Sequence, residues 1–193
     1  MGWKQISARL GLSREQSDQL AIDYQQKQEQ QLLTALFRIH ADGLYHFLLR
    51  QSNAEIAQDL SQQCWLKFLQ QSDSYLAQSS FKTWLYSIGR HLLLDEFRRQ
   101  QRWGFTDLDE QLVLPWQANP AELYQQSEQQ RLLTSAINQL PLVQKEALLL
   151  QLEGFSLTEI ALITQSQPET IKSRLRYARV TLASVLEAED ETP

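Results

Sequence analysis

Six side chains near the C-terminal end of the chain are the strongest candidates for binding chemistry. They are Lys172, Ser173, Arg174, Arg176, Tyr177 and Arg179. At 100° per residue of an α-helix, Lys172, Arg176 and Arg179 lie within about 60° of one another and form a single cationic face. Like charges four residues apart destabilise a helix by about 0.2 to 0.5 kcal/mol, so a polyanionic partner would explain the arrangement. The alternative is an ordinary solvated face near a helix C-terminus, where cations suit the helix dipole.

The sequence around this face predicts a helix-turn-helix. Ser156 and Glu159 have the spacing of a capping box, and Ser166 and Glu169 repeat that spacing ten residues later. Two helix starts this close leave only a short turn between the helices. In the second helix, which should begin at about Pro168, the residues expected to face the core are Ile171, Leu175, Ala178 and Leu182. The cationic residues therefore lie on the exposed side of that helix.

A second basic segment lies in the first half of the chain. Its basic and aromatic residues are Lys82, Tyr86, Arg90, Arg98 and Arg99. The first three recur every four residues, so on a helix they form one face on which cations and an aromatic ring alternate. Such a face can hold phosphates and stack on unpaired bases. The alternative, equally well supported by this segment, is a snorkelling surface that has no partner.

The composition indicates an all-α protein. The 193 residues include only 6 Gly and 5 Pro, and good helix formers dominate. The net charge of −5 would by itself argue against nucleic acid, but the positive charge is concentrated in the two basic segments. The sequence has no apolar stretch long enough to span a bilayer and no signal peptide pattern. We therefore expect a soluble, cytoplasmic protein with no membrane insertion.

The segment over residues 103–130 has the composition of an interdomain linker. It contains five acidic residues, no basic residue and two prolines. The expected organisation is therefore two small helical domains joined by an acidic linker. Its expected boundaries are an extension of unknown role over 1–30, a helical domain over 31–102, the linker over 103–130, a helix-turn-helix domain over 131–187 and an acidic tail over 188–193.

The sequence contains no recognisable catalytic or metal-binding constellation. His40, His46 and His91 do not have metal-ligand spacing with one another or with Cys64, the single cysteine. Phosphate-binding loops, dinucleotide fingerprints and nucleophile elbows are also missing. We therefore expect a protein that is not an enzyme and that uses neither a metal nor a cofactor.

The second half of the chain combines three motifs in one order. They are Leu140-Pro141, Glu153-Gly154-Phe155-Ser156-Leu157 and Lys172-Ser173-Arg174-Leu175. This combination resembles region 4 of bacterial sigma factors of the sigma-70 family. The resemblance implies that the helix from Pro168 enters the major groove of the minus-35 promoter element and that the six residues named first contact its bases or phosphates. Tyr177 stands where the family usually has arginine, and a phenol cannot make the bidentate guanine contact of an arginine.

The first half resembles region 2 of the short, extracytoplasmic-function (ECF) group of the same family. The segment from Phe81 to Arg99 is similar to regions 2.3 and 2.4, which melt and read the minus-10 element. The residues implicated by this similarity are Lys82, Tyr86, Arg90, His91, Arg98 and Arg99, with His91 in place of the usual asparagine. The segment from Ala57 to Phe68 resembles region 2.2, which makes Asp59 and Gln62 candidate polymerase contacts.

The resemblance implies a promoter-specificity subunit of RNA polymerase. Its partners would be the β′ clamp helices and the β flap of core polymerase, promoter DNA and, in some members, an anti-sigma factor. Two alternatives stay open from the residues alone. One is a helix-turn-helix regulator that binds operator DNA without polymerase. The other is a protein that binds polymerase but has lost DNA recognition, for which His91 and Tyr177 would be the signs.

Overall fold

The computed structural model of the chain describes residues 14–70, 75, 79–100 and 128–190. Within these ranges the protein forms eight α-helices and no strand, which confirms the all-α prediction. The helices are α1 (Arg14–Lys27), α2 (Gln30–Leu49), α3 (Ala54–Gln70), α4 (Phe81–Gln100), α5 (Glu128–Asn138), α6 (Leu142–Leu152), α7 (Leu157–Thr164) and α8 (Pro168–Asp190).

Helices α1 to α4 form the first domain. Helix α2 packs against α1, α3 and α4, and α3 also packs against α4. Aromatic rings fill the space between α3 and α4: Phe68 and Phe81 lie 4.9 Å apart between ring centroids, and the Phe81 and Trp84 rings are stacked at 6.0 Å. Cys64 is fully buried among these helices. Burial raises the pKa of its thiol to about 12, so it is a small apolar core residue.

Helix α1 lies in the N-terminal extension, for which the sequence predicted no role. Its apolar residues Ala21 and Tyr24 are buried, so the helix is part of the first domain. Ser17 Oγ lies 2.6 Å from His40 Nε2 of α2, and both residues are buried. Burial, with the charge of Lys82 as a lesser cause, lowers the pKa of His40 to about 3. His40 is therefore neutral in the folded protein at physiological pH.

Helices α5 to α8 form the second domain. Helix α8 packs against α5, α6 and α7. The predicted capping box is present: Ser156 Oγ accepts a hydrogen bond from the Glu159 backbone N–H, and the Glu159 side chain accepts one from the Ser156 backbone N–H. Ile171, Leu175 and Ala178 are buried, as the helical periodicity predicted. The pair α7 and α8 is the predicted helix-turn-helix.

The second predicted capping box, at Ser166 and Glu169, is not formed. Helix α8 begins at Pro168, as the sequence predicted, so Ser166 lies two residues before the helix rather than one. Its hydroxyl instead donates to the Thr164 carbonyl at 3.3 Å and accepts from Arg174 Nη1 at 3.0 Å. The turn uses a left-handed residue at its start, Gln165 with φ of 53°.

Residues 103–127 of the expected acidic linker lie outside the described residues. Of the acidic tail, residues 191–193 are likewise outside. Across the described helices, none has the length and apolar character that crossing a membrane requires.

The first prediction concerns acid stability. Because His40 is buried and neutral in the fold but titrates near 6.5 when unfolded, the unfolded state binds the extra proton as the pH falls from about 6.5 to about 3. The His40 contribution to stability is therefore present above pH 6.5 and is lost through this window, at up to about 1.4 kcal/mol per pH unit. His40→Gln, which cannot be protonated, should lose less stability than the wild type between pH 7 and pH 4 in urea unfolding. If the free energy of unfolding fell equally with pH in the two proteins, the prediction for His40 would be contradicted.

Candidate nucleic-acid interface

The cationic face of α8 is open to solvent. Lys172, Ser173, Arg176, Tyr177 and Arg179 are all exposed, and Arg174 is half-buried. The interactions that these side chains make within the protein are weak. Lys172 forms an ion pair with Glu169 at 2.7 Å, and both side chains are more than half exposed. Arg179 Nη2 donates to Gln151 Oε1 at 2.8 Å. Exposed pairs of this kind stabilise by at most about 1 kcal/mol, so a duplex can displace them at little cost.

Tyr177 lies in the middle of this face and contacts the adjacent Arg176 side chain. The guanidinium carbon of Arg176 lies 5.0 Å from the centre of the Tyr177 ring, and Arg176 Nη2 donates to the phenol oxygen at 3.3 Å. The ring is 52% exposed. An arginine at position 177 could not offer Arg176 this stacking surface. Tyr177 therefore influences the position of a neighbouring cation on this face.

The predicted face of α4 is buried, in contrast to that of α8. Lys82, Tyr86 and Arg90 are 3%, 0% and 7% exposed. The second domain covers them, because α7 packs on α4. Glu146 of α6 and Glu153, which follows α6, also bond to Arg90 and Lys82. Neither of the two alternatives weighed from the sequence, a phosphate-binding face or a snorkelling surface, describes this arrangement. In this conformation the three side chains belong to the contact between the domains.

Two carboxylates of α6 and its C-terminal turn neutralise the buried cations. Arg90 Nε donates to Glu146 Oε1 at 2.8 Å. Lys82 Nζ donates to the Glu153 carbonyl at 2.6 Å and lies 3.5 Å from Glu153 Oε2. Burial lowers the pKa of Lys82 to about 8, although the Glu153 carboxylate opposes the shift. Lys82 therefore stays mostly protonated near neutral pH, and its charge is held by Glu153.

The spacing of the charges explains why two pairs form together. Glu146 and Glu153 are seven residues apart, and Lys82 and Arg90 are eight apart, so each set spans about two helical turns on one face. Lys82 pairs with the later glutamate and Arg90 with the earlier one. The two helical segments therefore run in opposite directions where they meet. This charge match was present in the sequence, but Glu146 and Glu153 were not predicted as site residues.

Tyr86 links the ion pairs to the apolar packing. Its hydroxyl donates to Glu153 Oε2 at 3.1 Å, and its ring meets Phe155 edge to face at 4.9 Å between centroids. Burial, followed by the Glu153 charge, raises the pKa of Tyr86 well above its usual value, so the phenol keeps its proton. A Cβ at Gly43 of α2 would lie 2.8 Å from this hydroxyl. A larger residue at position 43 would therefore have to displace the Tyr86 hydroxyl or shift α2.

The remaining candidates on α4 lie at the rim of the contact or beyond it. His91 is exposed, and its Nε2 lies 3.1 Å from Gln165 Nε2 in the turn of the helix-turn-helix. Arg98 and Arg99 are exposed and pair within the helix with Asp95 and Glu96 at 3.0 and 2.8 Å. These three side chains are accessible to a nucleic acid while the domains are in contact.

The candidate polymerase surface on α3 is also accessible. Asp59 and Gln62 are exposed, and Asp59 Oδ2 accepts from Gln63 Nε2 at 2.7 Å. The structure also exposes apolar side chains on α2 and α3 that the sequence did not predict as polymerase contacts. They are Phe37, Leu66 and Leu69, which are 50%, 53% and 41% exposed. Leu66 and Leu69 follow Gln62 by four and seven residues, so they continue its face of the helix.

Comparison with known proteins accounts for both domains. Residues 36–103 match the family described as "Sigma-70 region 2", and residues 130–182 match the family described as "Sigma-70, region 4". The ECF RNA polymerase sigma factor SigX of Bacillus subtilis is 31% identical over 145 residues, which are 72% of this chain and 75% of SigX. The chain belongs to the ECF sigma factors of the sigma-70 family.

Other ECF sigma factors and solved structures agree. EcfG of Rhodopseudomonas palustris is 34% identical over 136 residues, 69% of this chain and 73% of EcfG. The sigma factor RpoE of Bartonella quintana, solved with the anti-sigma factor NepR, has a TM-score of 0.64 at 26% identity and covers 80% of this chain and 96% of that chain. CnrH, solved with the cytosolic domain of CnrY, shares the fold with a TM-score of 0.65 at 20% identity, covering 89% and 98%.

The second prediction concerns Gly43 in this ECF sigma factor. Gly43→Ala should weaken the contact between the domains by about 1 to 3 kcal/mol, because its methyl group meets the Tyr86 hydroxyl at 2.8 Å. Helix propensity acts in the opposite direction by up to about 1 kcal/mol. Thermal unfolding should show a net loss. The same substitution combined with Tyr86→Phe, which removes the hydroxyl, should cost clearly less, and equal losses in both backgrounds would contradict the assigned cause.

Proposed function

We propose that this ECF sigma factor binds core RNA polymerase and directs promoter-specific transcription by using its two cationic helices on two promoter elements. In this proposal the exposed face of α8 binds the minus-35 element and α4 binds the minus-10 element. Asp59 and Gln62, together with the apolar side chains beside them, would contact the β′ clamp helices, and the helix-turn-helix domain would contact the β flap. The protein contributes no catalytic group of its own and acts where the polymerase is, in the cytoplasm.

The observation that carries this proposal is the difference between the two cationic helices. The α8 face is open and weakly partnered, whereas the α4 face is buried against carboxylates. Single-stranded DNA reaches Lys82 and Arg90 only after the second domain moves away. Promoter melting therefore requires opening, and duplex binding by α8 does not. The proposed domain boundaries are those expected from the sequence, with α1 added to the first domain.

The third prediction tests the function in the holoenzyme. Core polymerase with the wild-type protein should give discrete run-off transcripts from genomic fragments. Lys172→Ala with Arg176→Ala should reduce these transcripts strongly, because the substitutions remove two cations that are candidates for binding phosphates or bases. The log–log salt dependence of promoter binding should also become shallower, by about 1 for each phosphate that the variant no longer neutralises.

Lys27→Ala with Arg38→Ala removes the same charge from α1 and α2, away from both cationic faces, and serves as the matched control. Transcripts unaffected by the α8 substitutions would remove α8 from promoter recognition. Polymerase binding without transcripts would favour the alternative in which DNA recognition is lost. Tight specific duplex binding without polymerase would favour a stand-alone regulator.

The fourth prediction tests the need for opening. Glu146→Gln with Glu153→Gln leaves Lys82 and Arg90 buried without opposite charge, and removing one partner of a buried pair costs about 3 to 5 kcal/mol. The domains should therefore separate more readily. The free protein should bind a single-stranded minus-10 oligonucleotide at least tenfold more tightly, as measured by fluorescence anisotropy.

The matched control is Glu29→Gln with Glu55→Gln, since both side chains are exposed and the change in net charge is the same. This control corrects for the general gain in affinity that any loss of negative charge brings. An equal gain in the two double variants would show that the buried carboxylates do not restrict access to α4.

A further inference from the structure

We propose that helix α1 is a strap that is anchored on the first domain and holds the second domain against α4. The inference deepens the proposed function, because it concerns what controls the opening described above. Residues 14–27 lie outside both ranges matched by the family, 36–103 and 130–182. The helix is nevertheless well packed and has polar contacts with both domains. The two family descriptions therefore assign no role to α1.

The anchor of the strap is built into the first domain. Asp18 Oδ1 accepts a hydrogen bond from the Phe81 backbone N–H at 2.6 Å. Phe81 is the first residue of α4, so Asp18 satisfies one of the N–H groups that a helix start leaves without a partner. The Ser17–His40 contact and the buried Ala21 and Tyr24 fix the rest of the helix. Helix α1 therefore moves with α4.

The first residue of α1 reaches the second domain. Arg14 Nη2 lies 2.8 Å from Glu159 Oε1 in the first turn of α7. Thr83 Oγ1 of α4 donates to the same carboxylate oxygen at 3.1 Å. The other oxygen, Oε2, accepts from the Ser156 backbone N–H at 2.9 Å. The Glu159 carboxylate thus links α1, α4 and α7, and it also forms part of the capping box of α7.

The charges around Glu159 favour this arrangement. Burial opposes ionisation of the carboxyl group, but the hydrogen bonds from Ser156 and the charge of Arg14 outweigh it and lower the pKa of Glu159. Arg14 and Glu159 are 39% and 16% exposed as side chains, so the pair is only partly desolvated. A pair of this kind changes an equilibrium by a factor of about two to five. That is enough to bias the domains towards contact and little enough for a partner to reverse.

The geometry assigns the bridging role to the first turn of α1. Arg14, Ser17 and Asp18 are three and four residues apart, so they lie on one side of the helix. Ser17 and Asp18 bind residues of the first domain, and Arg14 binds Glu159 of the second domain. Removal of Arg14 alone should therefore weaken the hold on the second domain while the anchor stays in place.

The experiment measures domain separation in the free, full-length protein by single-molecule energy transfer. Donor and acceptor dyes are attached to cysteines introduced by Gln70→Cys in α3 and Ser184→Cys in α8, both at exposed positions. The native Cys64 is buried and its thiol pKa is raised to about 12, so it does not compete for the dyes. Arg14→Ala should raise the ratio of open to closed molecules about two- to fivefold.

Two further variants make the result specific. Lys27→Ala removes one positive charge from the exposed end of the same helix and should leave the ratio unchanged. Glu159→Gln keeps the capping box, which accepts glutamine, but removes the ion pair. In the Glu159→Gln background, Arg14→Ala should have no further effect on the ratio.

Three results would overturn the strap. One is an equal change in Arg14→Ala and Lys27→Ala, and another is an undiminished Arg14→Ala effect in the Glu159→Gln background. The third is a wild-type protein that is already fully open. Run-off transcription by the same proteins is independent of these measurements, so a failed strap with intact transcripts leaves the proposed function standing. Missing transcripts in the wild type would contradict the function itself.

Discussion

Burial of two cations between the domains is the constraint on which the closed structure depends. Lys82 and Arg90 lose almost all contact with water, and an isolated charge removed from water costs several kcal/mol. Glu146 and Glu153 offset that cost because they lie opposite, at matching spacing. Such pairs contribute little net stability, but breaking one leaves an uncompensated charge. The ion pairs therefore fix the register between the two domains. Any distortion of the contact that separates one pair is unfavourable.

The polar network extends from these pairs into the apolar packing. Tyr86 donates to the same carboxylate that neutralises Lys82, and its ring packs on Phe155. Gly43 leaves room for the hydroxyl, and Glu159 ties α7 to α4 and α1. Most of these contacts cross from one domain to the other. The interface thus combines apolar packing with buried polar pairs, which contribute less net stability than apolar residues of the same volume often would.

The closed structure fits the proposed function, in which the two cationic helices would bind DNA at different stages. The α8 face stays accessible, and its partners are exposed side chains that water can replace. The α4 face is protected until the domains part. The same cations that pair with carboxylates in the closed form are the ones that phosphates would need in the open form. In the proposed function, opening would exchange carboxylates for phosphates as the partners of these cations and would leave no charge buried without a partner.

The sequence by itself determined the helical class, the capping box at Ser156, the core positions of α8 and its cationic face, because these depend on local periodicity and spacing. The family resemblance was visible in contiguous motifs. Only the tertiary structure decided the environment of Lys82, Tyr86 and Arg90, since helical periodicity shows which residues share a face but not what covers it. The contacts of α1 were also hidden, because Asp18 and Phe81 are far apart in sequence and meet only in the folded chain.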